Sequence, residues 1–534
     1  MVETVVRPEE QQEKTFKKQT IRGASLVLGG VALLRLLLRF FVVLFIARRF
    51  GVGREADIYF LATTIPVALA ASNRQVINYA FVPVFTEYNI ERGEDEGWRM
   101  ASVTINLSMM TILVFTFLYF LLAPLLFELV APGFAPGDRH SAIQLSRLVS
   151  PVLIFFALFA FCEGILYSGN HYTTTSFATL FVSLGTLVGI LFLADSLGVF
   201  GVGLGLLSGY VLQTVMPFIP FRHYWKRLSM VLEWGHHGFR KFYLQIPNIL
   251  WIQLCIIAIV ITDFTLATTL GPGSVSAFQY CSTITGVIPL IVQTSLLGPI
   301  YPRISERIVN EELQELKALI RAYFRAVSFF VIPVTLGIMI LRVPTVALLL
   351  QRGNFTAEAT ELTAQVLLFT APSMALIPLS SIFYLVFLAK NRARLLAIMV
   401  AIFVVSNFFL CLVFMQFLGL AGIALGTTLL NVVQLFGCGY LVQKEIGNLE
   451  MHSLMVPLSK IIFAALIAAV CVFAGLHISA GMEIAGNNFF PFARLCVLGL
   501  IGGLVYFMTG YILRVEEIGS GLEQLRNHGK PLVG

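Results

Sequence analysis

Fourteen apolar stretches, separated only by short polar breaks, constrain this chain more than any other feature. About 20 apolar residues in a helix cross the hydrocarbon core of a bilayer. On that yardstick the spans fall near 24–49, 57–86, 101–130, 147–168, 175–195, 199–221, 244–270, 276–300, 322–348, 361–388, 395–417, 419–442, 457–478 and 491–513. Backbone N–H and C=O groups in lipid must pair within their own segment, so each run is expected to be helical. Of the residues, 57% are hydrophobic and 12% charged, against about 25% charged in an ordinary soluble domain. A water-soluble fold is excluded.

The basic residues give an orientation. Taking the N-terminus as cytoplasmic, 24 of the 36 Lys and Arg fall in cytoplasmic segments and 8 on the far side, the asymmetry of the positive-inside rule. Both ends are therefore expected in the cytoplasm. The start, MVETVVRPEEQQEKTFKKQT, is too polar for a cleaved signal peptide and reads as a cytoplasmic leader. Positive-inside bias also accounts for the net charge of +7, because no basic stripe with interleaved aromatics suggests nucleic acid. The seven cysteines lie in apolar segments without metal-ligand spacing and read as small core residues.

An internal echo appears at a spacing near 220. Gly51-Val52-Gly53, Ala56, Pro66 and Phe81-Val82-Pro83 are matched in order by Gly271-Pro272-Gly273, Ala277, Pro289 and Ile300-Tyr301-Pro302. The expected fold is thus an all-α polytopic membrane protein of 14 transmembrane helices, as two pseudosymmetric six-helix lobes plus a C-terminal helix pair. The divisions are a leader (1–23), an N-lobe (24–221), a cytoplasmic linker (222–243), a C-lobe (244–443), helices 13 and 14 (444–513) and a cytoplasmic tail (514–534). Repeated bundles of this kind place the substrate where the halves meet.

Ionisable residues inside spans are costly and mark functional sites. Arg35 and Arg39 lie four apart on one face of the first span, placed either to line a cavity or to snorkel; Arg48 and Arg49 at its end read as snorkelling. Arg74 follows Pro66 in the second span among Ser72, Asn73, Gln75 and Asn78 and is the strongest candidate for a substrate contact. Guanidinium groups facing one void suit phosphate, which Arg grips through a fork. Asp57 is either a helix N-cap or part of a gate. Glu163 and Asp263 are the carboxylates most enclosed by apolar sequence, each a candidate for a proton or sodium ion; Glu163 is equally a candidate partner for an intramembrane arginine. Asn407 and Thr427 offer oxygens beside Asp263.

Enzymatic chemistry has little support. No histidine sits in a metal-ligand motif, and His236-His237 is expected to be solvated in a basic loop. The GxxxxGK[ST] loop of ATP hydrolysis is missing. Residues 310–325 have amphipathic spacing and are expected to lie along the cytoplasmic interface.

Several segments together resemble the MurJ/MviN lipid II flippases of the MOP transporter superfamily: FGVGREADIYF, AFVPVFTEY, VAPGF, DFTLATTLGPGSVSAFQY, PIYPRIS and RGNFTAEAT, within residues 24–445. The resemblance implies two lobes around a cationic cavity, a groove from helices 13 and 14 for a polyprenyl tail, and movement of a lipid-linked cell-wall precursor to the outer leaflet by alternating access. It places Asp57 on the family's aspartate after the first helix. The family's cavity arginines fall instead on Val42, Ala70, Ala71 and Thr283, with Arg39 and Arg74 about one turn away. A family sodium site falls on Asp263, Asn407, Thr427 and, through its backbone, Ile423, with Cys411 where an aspartate is expected.

The expected function is a non-enzymatic flippase for an undecaprenyl-linked precursor in the bacterial cytoplasmic membrane, with Arg35, Arg39, Asp57 and Arg74 binding the substrate. Asp263, Asn407, Ile423, Thr427 and Glu163 are the candidates for coupling to Na+ or H+. The chain is expected to be monomeric and to meet membrane lipids, its lipid-linked substrate and proteins of cell-wall or polysaccharide synthesis. The alternatives are an exporter of another lipid-linked polysaccharide unit and a non-transporting partner of a glycan-synthesis complex. The intramembrane arginines argue against a multidrug exporter, and the lack of a large extramembrane segment argues against a glycosyltransferase.

Overall fold

The computed structural model describes residues 21–169, 173–479 and 489–518, which are helical and contain no strand. Most of the expected leader and tail lie outside the described residues. The long helical stretches are α1 (Ile21–Phe50), α2 (Arg54–Val76, continued by Ile77–Phe81 and Val82–Glu91), α3 (Glu94–Val130), α4 (Pro136–Ser168), α5 (Thr173–Leu197), α6 (Val199–Trp225) and α7 (Ile246–Thr268). They continue as α8 (Ser274–Val309), α9 (Leu313–Ile340), α10 (Ala357–Ala389), α11 (Ala393–Leu418), α12 (Leu420–Ile446), α13 (Met455–Ile478) and α14 (Phe489–Ile512). Thirteen helices among the described residues are long and apolar enough to cross a membrane. The exception is α2, whose sequence carries Arg54, Glu55, Asp57 and Arg74 and the polar run from Ser72 to Asn78.

Two compact units form. One takes the described residues up to Val42 with Thr63–Ala123 and Gln144–Leu250; the other takes Val43–Ala62, Pro124–Ile143 and the chain from Trp251. The first is built around Phe81, Phe85, Trp98, Phe161 and Phe242, with Phe81 stacked on Phe85 and edge-on to Phe161. The second buries Ile320, Phe324, Ile382, Phe383 and Val442 together. Burying such side chains contributes about 1.5–3 kcal/mol each in water; within lipid, close packing supplies the preference instead. Leu122, Leu125 and Leu129 along α3 stay exposed, as a lipid-facing surface requires.

Glycines draw the α5/α6 hairpin together. A Cβ on Gly185 would lie 2.6 Å from the Gly205 carbonyl oxygen, and one on Gly189 would lie 2.6 Å from that of Gly201, so these backbones touch as small-xxx-small packing allows. The same device joins α11 and α12, where a Cβ on Gly426 would lie 2.7 Å from the Cys411 nitrogen. Each hairpin turns on a glycine in a conformation that side chains resist: Gly198 (φ 55°, ψ −135°) and Gly419 (φ 56°, ψ −129°). The segments GVFGVGLG from Gly198 and GLAGIALG from Gly419 thus repeat at a spacing of 221. Likewise α2 and α8 each contain a proline followed by a five-residue π turn, Ile77–Phe81 and Gln293–Leu297.

Two expectations change. Residues 313–325 are not a separate interfacial helix but the first turns of α9, with Leu316, Ile320, Tyr323 and Phe324 buried; their amphipathic spacing reflects burial against protein. Of the two histidines expected to be solvated, His237 is exposed, whereas the His236 side chain is only 7% exposed. His236 Nδ1 accepts from the Gly238 N–H at 3.2 Å and its Nε2 lies 3.2 Å from Glu96, while His237 Nδ1 is 3.1 Å from the Tyr88 hydroxyl.

Candidate functional site

The first unit gathers the intramembrane charges of α1, α2 and α4. Pro66 removes a backbone donor from α2, and the π turn at Ile77–Phe81 rewinds the helix just beyond Arg74; such turns recur at functional sites. Gly164 lets α4 come close, since a Cβ there would sit 3.0 Å from a Val82 methyl. Glu163 then meets Arg74 through two parallel bonds, Nε to Oε2 at 2.6 Å and Nη2 to Oε1 at 2.6 Å. The Tyr167 hydroxyl donates to Oε1 at 3.1 Å. The Glu163 side chain is 1% exposed, whereas that of Arg74 keeps 30%. The fork leaves Nη1 of Arg74 outside the pair.

Arg35 lies within electrostatic reach of Arg74, Arg39 and Glu163, and Arg39 is the exposed member. The structure therefore brings Arg35 to Arg74 and Glu163, with Arg39 one turn beyond Arg35 along α1. Three guanidiniums against one carboxylate leave a net charge of two positives, held by side chains from three helices. Of the roles open to Glu163, the one observed is partner to an intramembrane arginine. Tyr167 and Gly164 were not singled out in the sequence, where a tyrosine and a glycine near a carboxylate carry no distinguishing pattern.

Asp57 belongs to the other unit and does different work. It lies in the first turn of α2, its own N–H bonded to the Gly53 carbonyl at 3.0 Å, so it is not the N-cap of that helix. Its side chain caps α8 instead: Oδ2 accepts from the Gly273 N–H at 2.6 Å and Oδ1 from the Ser276 N–H at 2.7 Å. A carboxylate here satisfies orphan donors and complements the helix dipole. Fully buried, with both oxygens engaged, Asp57 has nothing left for a headgroup in this conformation. Around it the Tyr280 hydroxyl donates to Gly51 O at 2.8 Å, Asn354 Nδ2 donates to Arg49 O at 2.6 Å, and Arg54 sits 4.7 Å over the Phe134 ring. The glycine turns after α1 and before α8, the VAPGF segment and the RGNF loop thus meet in one hydrogen-bonded hub.

A third cluster joins α7, α11 and α12. Asn407 Nδ2 donates to Asp263 Oδ1 at 2.8 Å and Thr427 Oγ1 donates to Oδ2 at 3.2 Å. No cationic side chain pairs with Asp263 among the described residues. The Cys411 sulfur lies 3.6 Å from Asp263 Oδ1, 3.6 Å from Asn407 Oδ1, 3.5 Å from Ile423 O and 3.7 Å from Thr427 Oγ1. The thiol fills the space these oxygens surround. Sodium, a hard cation, takes oxygen ligands, and a thiol supplies neither charge nor a hard donor, so these residues fit that ion poorly. Gly426 permits the arrangement by letting α12 reach the Cys411 backbone.

The positions that the resemblance aligns with cavity arginines are Val42 and Ala70, both buried, exposed Ala71, and Thr283, whose hydroxyl donates to Gln279 O at 2.9 Å. None supplies charge.

The model of the family described as "Lipid II flippase MurJ" matches residues 46–489. A Rhizobium tropici protein named "Probable lipid II flippase MurJ" is 25% identical over 532 residues, covering 92% of this chain and 94% of that protein. A Burkholderia cenocepacia protein named "Lipid II flippase MurJ" is 23% identical, over 60% of this chain and 64% of its own length. Among solved structures, "Lipid II flippase MurJ, inward closed conformation" superposes with a TM-score of 0.74 at 20% identity, covering 92% of this chain and 100% of that one. An inward-facing multidrug resistance MATE transporter of the MOP superfamily follows at a TM-score of 0.63 and 15% identity, covering 78% and 95%.

Proposed function

The chain belongs to the lipid II flippase MurJ family, and on that premise we propose that it moves an undecaprenyl-linked cell-wall precursor, lipid II or a close relative, across the bacterial inner membrane by alternating access. The observation that carries this reading is the Arg35, Arg39, Arg74 and Glu163 cluster, whose two uncompensated positive charges match a diphosphate. Arg74 and Arg39 grip the headgroup and Arg35 supports them. Glu163 and Tyr167 hold the Arg74 guanidinium in a fixed plane, presenting Nη1 to the substrate without first ordering a long side chain. Translocation requires two states of different affinity for the headgroup.

The coupling ion in this reading is a proton carried at Asp263, supported by its three neutral neighbours and by a thiol that suits sodium poorly. Both termini face the cytoplasm, and the protein acts without catalytic chemistry, as a monomer that draws its substrate from the synthesis machinery. A second reading, export of another lipid-linked polysaccharide unit, is favoured by the uncharged Val42, Ala70, Ala71 and Thr283. Complementation decides between them: rescue of a flippase-depleted strain supports the first, and rescue of only an exopolysaccharide defect supports the second. In proteoliposomes Arg74→Ala is expected to abolish headgroup translocation while the protein still folds; unchanged transport would remove the cluster from the mechanism.

A further inference from the structure

A groove of about 550 Å³ runs along α11 beside Trp251 of α7, in the second unit. Its walls are apolar, with Ile398, Ala401, Ile402 and Val405 along one face of α11 and Trp251 opposite on α7. Beside it α7 and α11 pack through Cys255, Leu396 and Val400, which form one buried cluster. The two helices are clamped at this end by the Trp251 indole N–H, which donates to the Ala397 carbonyl at 3.2 Å. Ile398, Ile402 and Val405 are each more than half exposed, so inside a membrane they must be covered by something apolar.

Arg394 forms one end of the groove. Its neighbours Lys390 and Arg392 both lie within ion-pair distance of Glu445, whereas Arg394 makes no ion pair with a described residue and is exposed. From Arg394 to Ser406 at the other end, α11 rises about 18 Å. That is close to one leaflet of a core about 30 Å thick. The groove is thus as long as an acyl chain, apolar along its length and cationic at one end only. The basic loop before α11 puts that end at the cytoplasmic surface, where anionic headgroups lie. The volume falls within the range that small ligands occupy.

We propose that this groove binds an anionic diacyl phospholipid of the cytoplasmic leaflet, one acyl chain lying along α11 between Trp251 and Val405 and the phosphate on Arg394. Asp263 lies on α7 and Asn407 on α11, so a lipid lying along α11 against Trp251 bears on the α7/α11 contact and makes the protein responsive to membrane composition.

The test is native mass spectrometry of the full chain released from nanodiscs of equal phosphatidylglycerol and phosphatidylcholine. Wild type is expected to retain one phosphatidylglycerol preferentially. Arg394→Gln should reduce that preference about fivefold, the worth of one basic side chain at an anionic surface. Ala401→Trp and, separately, Ile398→Trp should fill the groove and abolish retention of either lipid; both are checked for wild-type thermal unfolding, and two positions guard against one variant misfolding. Retention unchanged in all three variants, or a polyprenyl lipid rather than a phospholipid recovered from wild type, would overturn the assignment. Transport is not read, so failure here leaves the flippase reading standing.

Discussion

Arg74 and Glu163 are worth most as a pair, because each is costly to leave alone in a low-dielectric surrounding. Breaking such a pair from one side costs about 3–5 kcal/mol, while replacing both partners with apolar groups is often neutral. Glu163→Ala is therefore expected to lower stability by about 3 kcal/mol, the low end because Arg74 is partly exposed. Arg74→Met with Glu163→Leu is expected to recover most of that loss yet remain inactive in transport. Thermal unfolding in detergent, read beside a flipping assay, separates the two effects; a double variant as unstable as the single one would contradict the argument. Cys411 gives a second residue-scale prediction. Cys411→Asp replaces the thiol among Asp263, Asn407, Ile423 and Thr427 with a hard, charged donor. The variant is expected to gain sodium-dependent thermal stabilisation that wild type lacks, with choline as control. Saturable stabilisation of wild type by sodium would show that the thiol does not block the ion.

At the scale of elements, glycine spacing sets how closely helices pack. Gly205 faces the backbones of Gly185 and Gly189, so Gly205→Leu is expected to force α5 and α6 apart and cost at least the 1–3 kcal/mol of ordinary overpacking. Gly203, on another face of α6, would press only on the Leu145 side chain, so Gly203→Ala should cost clearly less. Equal losses in thermal unfolding would mean that the α5/α6 seam is not specially close. Asp57 acts between elements by capping α8 from α2. Asp57→Ala is expected to cost about 1–2 kcal/mol, as removal of a good cap does, and Asp57→Asn less, since one oxygen remains. Hydrogen exchange at Gly273 and Ser276 reads this directly: protection there should fall in Asp57→Ala, and unaltered protection would disprove the cap.

For the whole molecule, the proposed cargo makes transport electrical. Moving one elementary charge through 100 mV is worth about 2.3 kcal/mol, so an inside-negative potential is expected to accelerate outward movement of a diphosphate-linked headgroup in oriented proteoliposomes, and reversing the potential to slow it. Insensitivity to potential would mean that the charge is neutralised before it crosses. The duplicated architecture also shows where the halves diverge. At the spacing of 221 that relates the α5/α6 and α11/α12 hairpins, Asp263, Asn407, Cys411, Ile423 and Thr427 correspond to Val42, Thr186, Ile190, Val202 and Leu206. The polar cluster was built into one copy only, so the coupling step in the proposed cycle is asymmetric.

The all-helical fold, its membrane-spanning character and the intramembrane charges were legible in the sequence because apolar length and the cost of burying charge are properties of a segment by itself; the count of spans was less so, since α2 is too polar to stand out by apolar length among the described residues. The duplication was legible too, and more sharply in GVFGVGLG and GLAGIALG than in the prolines, since a hairpin closed on its own backbone tolerates only glycine. Which charges meet was decided by the tertiary structure. Glu163 is 89 residues from Arg74, and Asp57 is 216 from the Gly273 amide it caps. Pairing across such distances depends on how helices pack, and a lone carboxylate in an apolar stretch looks the same whether it awaits an ion, an arginine or the end of another helix.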